Sequence, residues 1–471
     1  MRPIFDSCSC PEALASPFVH SFSKDADHAA VDKVLAYARE RLLMEPVPLD
    51  GPRTQEELDE TVGMTVTPEG LGATRALDLF EHTLAPACLS TDHPRYLSFI
   101  PCAPTREAAA FDVVVGASSI YGGSWLEGAG AVWAENQALR WIADLAGMPQ
   151  GAGGVFVPGG TVGNLSALVV ARHVARERAR RSGTGARPYR IAATDNAHSS
   201  IVSMAAVMDA EVCGVHVDEK LRMTGAALRA TLEEHGPETF FAVVATSGTT
   251  NFGVVDDLES VAEVCREYGL WFHVDGAYGG AGLAAPSIRP LFNGIEHADS
   301  FIVDPHKWLF APFDTCALLY REPELARVAH TQQAGYLDVL NEAAEWNPTD
   351  YSIGLTRRVR GLPFWFSLAV HGTDAYVEAI ESTLEVTRFA ADEIGRRDYL
   401  EAVREPDLSV VVFRRLGWGP EDYQAWTDRL LGEEFAFVVP TTFRGETLTR
   451  FAIVNPHTTK EDVNAILDTM A

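Results

Sequence analysis

The chain of 471 residues has no apolar run approaching the roughly 18 residues that a membrane-spanning helix requires. Its 38 basic residues are outnumbered by 65 acidic ones, and the formal net charge of −27 would repel a nucleic-acid backbone. The seven cysteines are scattered, and no apolar signal-peptide segment follows Met1. These absences argue against membrane and nucleic-acid partners, and they favour a cytoplasmic protein with reduced thiols and no metal site.

Lysine is also scarce, since only five of the 38 basic residues are lysines. Four of them lie in polar or helical stretches, whereas Lys307 lies in the apolar segment Phe301–Phe310 (FIVDPHKWLF). Burying an ammonium group is costly, and arginine, which the chain otherwise prefers, cannot give up its proton. Lysine at this position therefore indicates a need for an amine that can become neutral.

The hydrophobic pattern changes twice along the chain. The first part is polar and helical, with an apolar stripe at helical spacing over Asp27–Leu43. From Gly153 onward, strand-like apolar runs alternate with amphipathic helices, which predicts an α/β layer with a mostly parallel sheet. After Arg358 the pattern predicts a long helical region over about 361–394 and a small α+β region with strands over 409–413, 433–439 and 449–454. The resulting domain prediction is a helical arm over 1–85, a large domain over 86–355 and a small domain over 356–471.

Several of the predicted strands end in loops that carry polar side chains. The first such loop, Gly159–Leu165, runs through glycines into a helix, where backbone N–H groups can bind an anion. In a parallel sheet, ligands bind at the carboxyl ends of the strands. A heterocyclic aldehyde phosphate needs an amine for a Schiff base, a carboxylate for its ring nitrogen and amides for its phosphate. The later loops supply His198, Thr249, Thr250, Asp275 and Lys307.

These loops resemble the motifs of the group II pyridoxal-5′-phosphate-dependent decarboxylases, which include aromatic L-amino-acid decarboxylase. The resemblance runs from residue 93 to about residue 456 and implies the α/β architecture of fold-type I, like that of aspartate aminotransferase. That architecture has a mostly parallel seven-stranded sheet in a large domain, an N-terminal helical arm and a small α+β C-terminal domain. The matching motifs are His93–Tyr96 (HPRY), Ala197–Ser200 (AHSS), Gly248–Thr250 (GTT), His273–Tyr278 (HVDGAY), Asp304–Leu309 (DPHKWL) and Arg450–Ala452 (RFA).

The resemblance implies pyridoxal 5′-phosphate as cofactor and three catalytic residues. Lys307 would form the Schiff base, Asp275 would pair with the pyridine nitrogen, and His198 would stack on the ring near the substrate carboxylate. These three residues would also bind the cofactor. The further cofactor-binding residues are Thr161, Val162, Gly163 and His306 at the phosphate, Thr250 at the ring hydroxyl and Ala277 against the second ring face.

Asp304 departs from the pattern, because the family often has a neutral side chain there, near the expected phosphate. A carboxylate facing a phosphate dianion is unfavourable. We therefore expect Asp304 to turn away from the cofactor and do not count it as a ligand.

The resemblance also implies a substrate pocket and a homodimer with active sites at the interface. Phe99, Ile100 and Pro101 would line the pocket, and Tyr121 and Trp125 would reach it across the interface. Such an apolar wall favours an aromatic or bulky apolar side chain. In the family a tyrosine on a mobile loop protonates Cα; here Tyr336 and Tyr351 are both candidates, and the choice stays open.

The predicted reaction is decarboxylation of an L-amino acid to its amine, through the Lys307 Schiff base and a quinonoid intermediate. An amine-oxidising aldehyde synthase, or another carbon–carbon lyase on the same scaffold, is the main alternative. An aminotransferase would use an arginine such as Arg450 for the substrate carboxylate, but the surrounding motif is decarboxylase-like. A catalytically inactive binding protein would not need both Lys307 and Asp275.

Overall fold

The computed structural model describes residues 28–183, 188–332 and 345–471. These residues form two compact units, one with residues 28–45 and 52–87 and the other with residues 46–51 and 88–471. Among the described helices, none combines the length and apolar character needed to cross a bilayer.

The first unit is helical, as the polar N-terminal pattern predicts. Helix α1 (His28–Leu43) is followed by α2 (Gln55–Val62) and α3 (Ala73–Leu79). Helix α2 begins with a capping box, in which the Thr54 side chain accepts from the Glu57 N–H and the Glu57 carboxylate accepts from the Thr54 N–H.

The second unit contains a seven-stranded sheet with the order β1-β7-β6-β5-β4-β2-β3. All of its strands are parallel except β7, which is antiparallel to its neighbours β1 and β6. The predicted mostly parallel seven-stranded sheet is therefore confirmed. The strands are β1 (Gly153–Val157), β2 (Arg190–Ala193), β3 (Glu211–Gly214), β4 (Phe240–Thr246), β5 (Trp271–Asp275), β6 (Ser300–Val303) and β7 (Cys316–Tyr320).

Helices cover both faces of this sheet, so its strands are buried on both sides. In β4, for example, Val243 and Ala245 pack into one core layer while Ala242 and Val244 pack into the other. This two-sided burial explains the unbroken apolar run of the strand. The helices in this part of the chain are α4 (Arg106–Ser118), α5 (Trp125–Leu145), α6 (Gly160–Arg181), α7 (Ser200–Val207), α8 (Gly225–His235), α9 (Leu258–Tyr268) and α10 (Pro323–His330).

The C-terminal part forms a four-stranded antiparallel sheet with the order β10-β11-β9-β8. The predicted small α+β arrangement is present, and its boundary at residue 356 remains a proposal. The elements are α11 (Leu362–His371), α12 (Thr373–Arg396), β8 (Leu400–Ala402), β9 (Val410–Arg415), α13 (Pro420–Gly432), β10 (Pro440–Phe443), β11 (Glu446–Ala452) and α14 (Lys460–Asp468).

The long helical region predicted over about 361–394 is confirmed, and it consists of two helices because Gly372 adopts a φ of 75° that ends α11. The prediction of a strand over 433–439 was wrong. Glu434 has a φ of 51°, only Phe437 forms an isolated bridge, and the strand starts at Pro440.

Candidate active site

A cavity of about 230 Å³ lies at the carboxyl ends of the strands of the large sheet. Its walls come from the loops after β1, β2, β4, β5 and β6, as the strand-end argument predicts. The lining residues include seven that the sequence predicts, namely Thr161, His198, Thr250, Asp275, Ala277, His306 and Lys307. They also include Gly159, Gly160, Asn164, Ser200, Thr246, Gly248, Tyr278 and Asp304.

Lys307 stands in the turn after β6, where its N–H donates to the carbonyl of Asp304 at 2.9 Å. Its Nζ lies 3.0 Å from Asp304 Oδ2, in an ion pair whose lysine side chain is 23% exposed and whose aspartate side chain is 2% exposed. Burial is the largest single influence and disfavours the charged amine, but the Asp304 and Asp275 carboxylates and Cys316 together raise the pKa of Lys307 above its ordinary value.

The expectation that Asp304 turns away from the site was therefore wrong. The side chain faces the cavity because the adjacent lysine neutralises it, and its Oδ2 also lies 3.7 Å from Nε2 of His306. His306 itself is anchored by its Nδ1, which lies 2.7 Å from the carbonyl oxygen of Thr315. Burial lowers the pKa of His306.

Asp275 ends β5 and is held by a directed chain of buried hydrogen bonds. Trp271 Nε1 can only donate, and it donates to Ser300 Oγ at 2.8 Å. The Ser300 hydroxyl is then free to donate to Nδ1 of His273, 2.8 Å away, which leaves the His273 proton on Nε2. That nitrogen lies 2.8 Å from Asn164 Oδ1, and Asn164 Nδ2 donates to Asp275 Oδ2 at 2.9 Å.

This arrangement requires a neutral His273. Burial lowers the pKa of His273 to about 4, even though the Asp275 carboxylate acts in the opposite direction. The chain therefore fixes the orientation of the Asn164 amide and presents its N–H group to Asp275. The remaining oxygen of Asp275 accepts from the N–H of Ala277 at 3.1 Å.

The same asparagine also reaches the histidine at the mouth of the cavity. Asn164 Nδ2 donates to Ser200 Oγ at 3.1 Å, and Ser200 Oγ lies 2.9 Å from Nδ1 of His198. The Ser200 N–H donates to the same Nδ1 at 3.2 Å, so this nitrogen is an acceptor and the ring proton lies on Nε2. Asn164 thus links Asp275 and His198.

The glycine turn before α6 forms one wall of the cavity through Gly159, Gly160 and Thr161. Val162 N–H and Gly163 N–H both donate to the carbonyl of Gly159, and neither residue lines the cavity. These two predicted phosphate ligands are therefore not brought to the site, because they already belong to the first helical turn. Gly160 and Thr161 line the cavity instead, and a Cβ at Gly160 would lie 3.2 Å from both Asp304 Oδ2 and Ala277 Cβ.

The five predicted substrate-binding residues do not line this cavity. Phe99 is 56% exposed and Ile100 packs against the main core, while Pro101 is buried. The Tyr121 hydroxyl donates to the carbonyl of Leu355 at 2.8 Å. Trp125 begins α5, with its N–H donating to Asn347 Oδ1 at 2.9 Å.

Of the two tyrosines considered as proton donors to Cα, the structure describes only Tyr351. Tyr336 lies outside the described residues. Tyr351 is a core residue, since it is buried and its ring stacks on Trp346 with a centroid distance of 4.0 Å. Burial raises the pKa of Tyr351.

Sequence reasoning missed Asn164, Ser200, Thr246 and Tyr278 as cavity residues. Asn164 lies one helical turn after Gly160 and Ser200 lies two residues after His198, so their spacing could have indicated that they share the site.

Comparison with known proteins gives the family. The model of the pyridoxal-dependent decarboxylase conserved domain matches residues 72–416. The chain belongs to the pyridoxal-dependent decarboxylases. It is accordingly a pyridoxal-phosphate-dependent amino-acid decarboxylase, a carboxy-lyase.

Similar proteins span most of the chain. It is 29% identical over 394 residues to an aromatic-L-amino-acid decarboxylase of Bacillus atrophaeus, covering 80% of each chain. It is 32% identical over 415 residues to an L-2,4-diaminobutyrate decarboxylase of Rhizobium meliloti, covering 85% of this chain and 81% of the relative. The crystal structure of mouse CSAD superposes with a TM-score of 0.83 at 25% identity, covering 94% of this chain and 97% of that one. The fold-type I architecture is thereby confirmed.

The residues of the cavity suit the family cofactor. Thr246 Oγ1 and Asp304 Oδ1 are buried and accept or donate no hydrogen bond within the described part of the chain, so the cavity holds polar atoms in need of partners. The Lys307 amine, the Asp275 carboxylate and the glycine turn before α6 line the same space. Pyridoxal 5′-phosphate has an aldehyde that can react with the amine, a ring nitrogen that can pair with the carboxylate and a phosphate that the glycine turn can accommodate.

Proposed function

We propose that this decarboxylase converts an L-amino acid with an aromatic or bulky apolar side chain into its amine and CO₂, with Lys307 as the covalent anchor of the cofactor. The observation that carries the proposal is the convergence of Lys307, Asp275 and His198 on one cavity at the strand ends. When bound, pyridoxal 5′-phosphate supplies an electron sink for the bond broken at Cα.

The residues of the cavity would divide the work. Asp275 would hold the proton of the ring nitrogen, supported by Asn164 at 2.9 Å. His198 would lie against the ring with Nε2–H available to the substrate. Thr161 and His306 would hold the phosphate, Thr250 the ring hydroxyl and Ala277 the second ring face. We keep Val162 and Gly163 out of this set because their amides bond to Gly159.

One feature supports the proposed substrate class. The Phe99 ring is largely exposed and lies 6.3 Å from the Phe437 ring, which gives an apolar surface for a substrate side chain. The Phe99 carbonyl is held from behind by buried Arg450, which donates to it at 3.0 Å.

We propose a cytoplasmic homodimer, with Tyr121 and Trp125 of one protomer near the site of the other. Helices α4 and α5 support a dimer because they expose Val113, Val114, Leu126 and Trp133. The cytoplasmic location is supported by the cysteines, since those in the described residues are free thiols. Sedimentation of the holoenzyme tests the dimer.

The substrate is tested with a panel of L-amino acids and mass spectrometry of the products, with and without oxygen. The panel contains phenylalanine, tyrosine, tryptophan, 2,4-diaminobutyrate, glutamate and cysteine sulfinate. The proposal predicts amine and CO₂ in equal amounts, with the highest kcat/KM for an aromatic substrate. A preference for diaminobutyrate or an acidic substrate would contradict the substrate class, and oxygen-dependent aldehyde with peroxide would indicate an aldehyde synthase instead.

A further inference from the structure

The carboxylate of Asp304 occupies an unusual position for a site that must accept a phosphate ester. It is almost completely buried, it lines the cavity beside Gly160, and its Oδ2 lies 3.0 Å from Lys307 Nζ. Its other oxygen, Oδ1, has no hydrogen-bond partner within the described residues. Its closest cationic partner is therefore the lysine that the reaction needs.

The groups around the lysine amine are mostly acidic. Asp304 faces it from the same turn, Asp275 from β5 and the Cys316 thiol from β7, and the one basic neighbour among the described residues that interacts with it electrostatically is His306, whose Nε2 lies 3.7 Å from Asp304 Oδ2. Burial opposes a charge on Lys307, but Asp304 acts most strongly in the other direction, followed by Asp275. The free side chain is consequently held as an ammonium.

An ammonium cannot attack a carbonyl carbon, since its lone pair is occupied. Imine formation requires that the ammonium first lose a proton to the solvent. The neutral Nζ then forms a C=N bond to the aldehyde carbon, and the aldehyde oxygen leaves as water. Any group that stabilises the ammonium therefore slows this reaction.

We propose that Asp304 is a positioning residue that retains the free Lys307 side chain as its ion-pair partner and so limits the rate at which the protein takes up its cofactor. This inference rests on the proposed function, in which Lys307 binds the cofactor. Asp304 acts here through the lysine and not by direct contact with the reacting aldehyde.

The alternative is that Asp304 acts on the cofactor by repelling its phosphate. The two explanations differ for pyridoxal, which has the same aldehyde but no phosphate. An effect through Lys307 must be seen with both compounds, whereas repulsion of the phosphate affects pyridoxal 5′-phosphate only.

The test uses the full chain freed of cofactor with hydroxylamine, as wild type and as Asp304→Asn, which keeps the shape and removes the charge. Asp392→Asn, an exposed position on α12, removes one charge far from the reacting amine in sequence and serves as the control. The rate of imine formation is followed by visible absorbance between pH 6 and 9. Circular dichroism verifies folding, and Asp304→Ser replaces the asparagine variant if that variant is unfolded.

We expect Asp304→Asn to react about tenfold faster than wild type at neutral pH with both compounds, since loss of the carboxylate lowers the pKa of Lys307 and enlarges the neutral fraction of the amine. Its pH profile should shift to lower pH, and Asp392→Asn should behave as wild type. Acceleration with pyridoxal 5′-phosphate alone, or unchanged rates with both compounds, would overturn the inference. If borohydride reduction labels no Lys307 in any of the proteins, the proposed function fails instead.

Discussion

Replacing Asp275 by asparagine separates the charge of this side chain from its shape. The carboxylate accepts two hydrogen bonds, from Asn164 Nδ2 at 2.9 Å and from Ala277 N–H at 3.1 Å. An asparagine has one acceptor oxygen, so in either orientation its NH₂ group meets an N–H donor. The variant therefore loses one buried hydrogen bond to a charged group, which costs about 2 kcal/mol of unfolding free energy.

The same substitution removes the negative charge that would hold the proton of the ring nitrogen. Losing a preorganised electrostatic contact of this kind lowers kcat by about a hundredfold. Urea denaturation of the cofactor-free protein measures the first effect, and kcat of the loaded enzyme measures the second.

Asn164→Ala is the matched control, because it removes the same hydrogen bond but keeps the carboxylate. It also deprives His273 and Ser200 of their partner, so we expect it to be at least as destabilising as Asp275→Asn. Its kcat should fall by less than about tenfold. Equal losses of kcat in the two variants, or near-normal turnover in Asp275→Asn, would refute the assigned role of the charge.

Two further predictions concern buried ionisable side chains outside the cavity. Burial lowers the pKa of His330 to about 4, so the folded protein holds this ring in its neutral form. The resulting contribution to the free energy of unfolding is at most about 3 kcal/mol; it is fully present above pH 6.5 and is lost as the pH falls towards 4. His330→Gln, which can still donate to the Ser166 carbonyl, should flatten the pH dependence of urea stability in that range, and an unchanged slope would contradict the prediction. The buried ion pair of Glu135 with Arg357 at 2.8 Å predicts that Glu135→Ala costs about 3–5 kcal/mol, because the guanidinium is left without its partner. Glu177→Ala removes one partner of the exposed Glu177–Arg180 pair and should leave the urea denaturation midpoint unchanged. Equal midpoints for Glu135→Ala and Glu177→Ala would contradict the larger cost expected for the buried pair.

The sequence was most informative where a residue type is unusual for its surroundings. A lysine in an apolar segment and an aspartate at the end of a buried strand both indicated chemistry, and the structure brings Lys307 and Asp275 to one cavity. The alternation of strands and helices likewise predicted the parallel sheet. That alternation does not predict β7, which follows a loop rather than a helix and is antiparallel to both of its neighbours.

The rest depended on tertiary contacts that no spacing reveals. Asp304 was expected to avoid the site because only its repulsion of a phosphate was considered, whereas its ion pair with Lys307 decides its orientation. Asn164 is an ordinary residue in a helix until the fold places His273 and Asp275 on either side of its amide. Val162 and Gly163 were expected at the phosphate from the family resemblance, whereas their N–H groups bond to the Gly159 carbonyl in the first turn of α6.

The most direct measurement is borohydride reduction of the protein loaded with pyridoxal 5′-phosphate, followed by peptide mass mapping. The chain has only five lysines, so the position of a reduced pyridoxyl-phosphate adduct can be assigned without ambiguity. We expect the adduct on Lys307 alone, and neither adduct nor turnover in Lys307→Ala. An adduct on a different lysine, or repeated turnover by the alanine variant, would contradict the assignment of this amine as the covalent anchor.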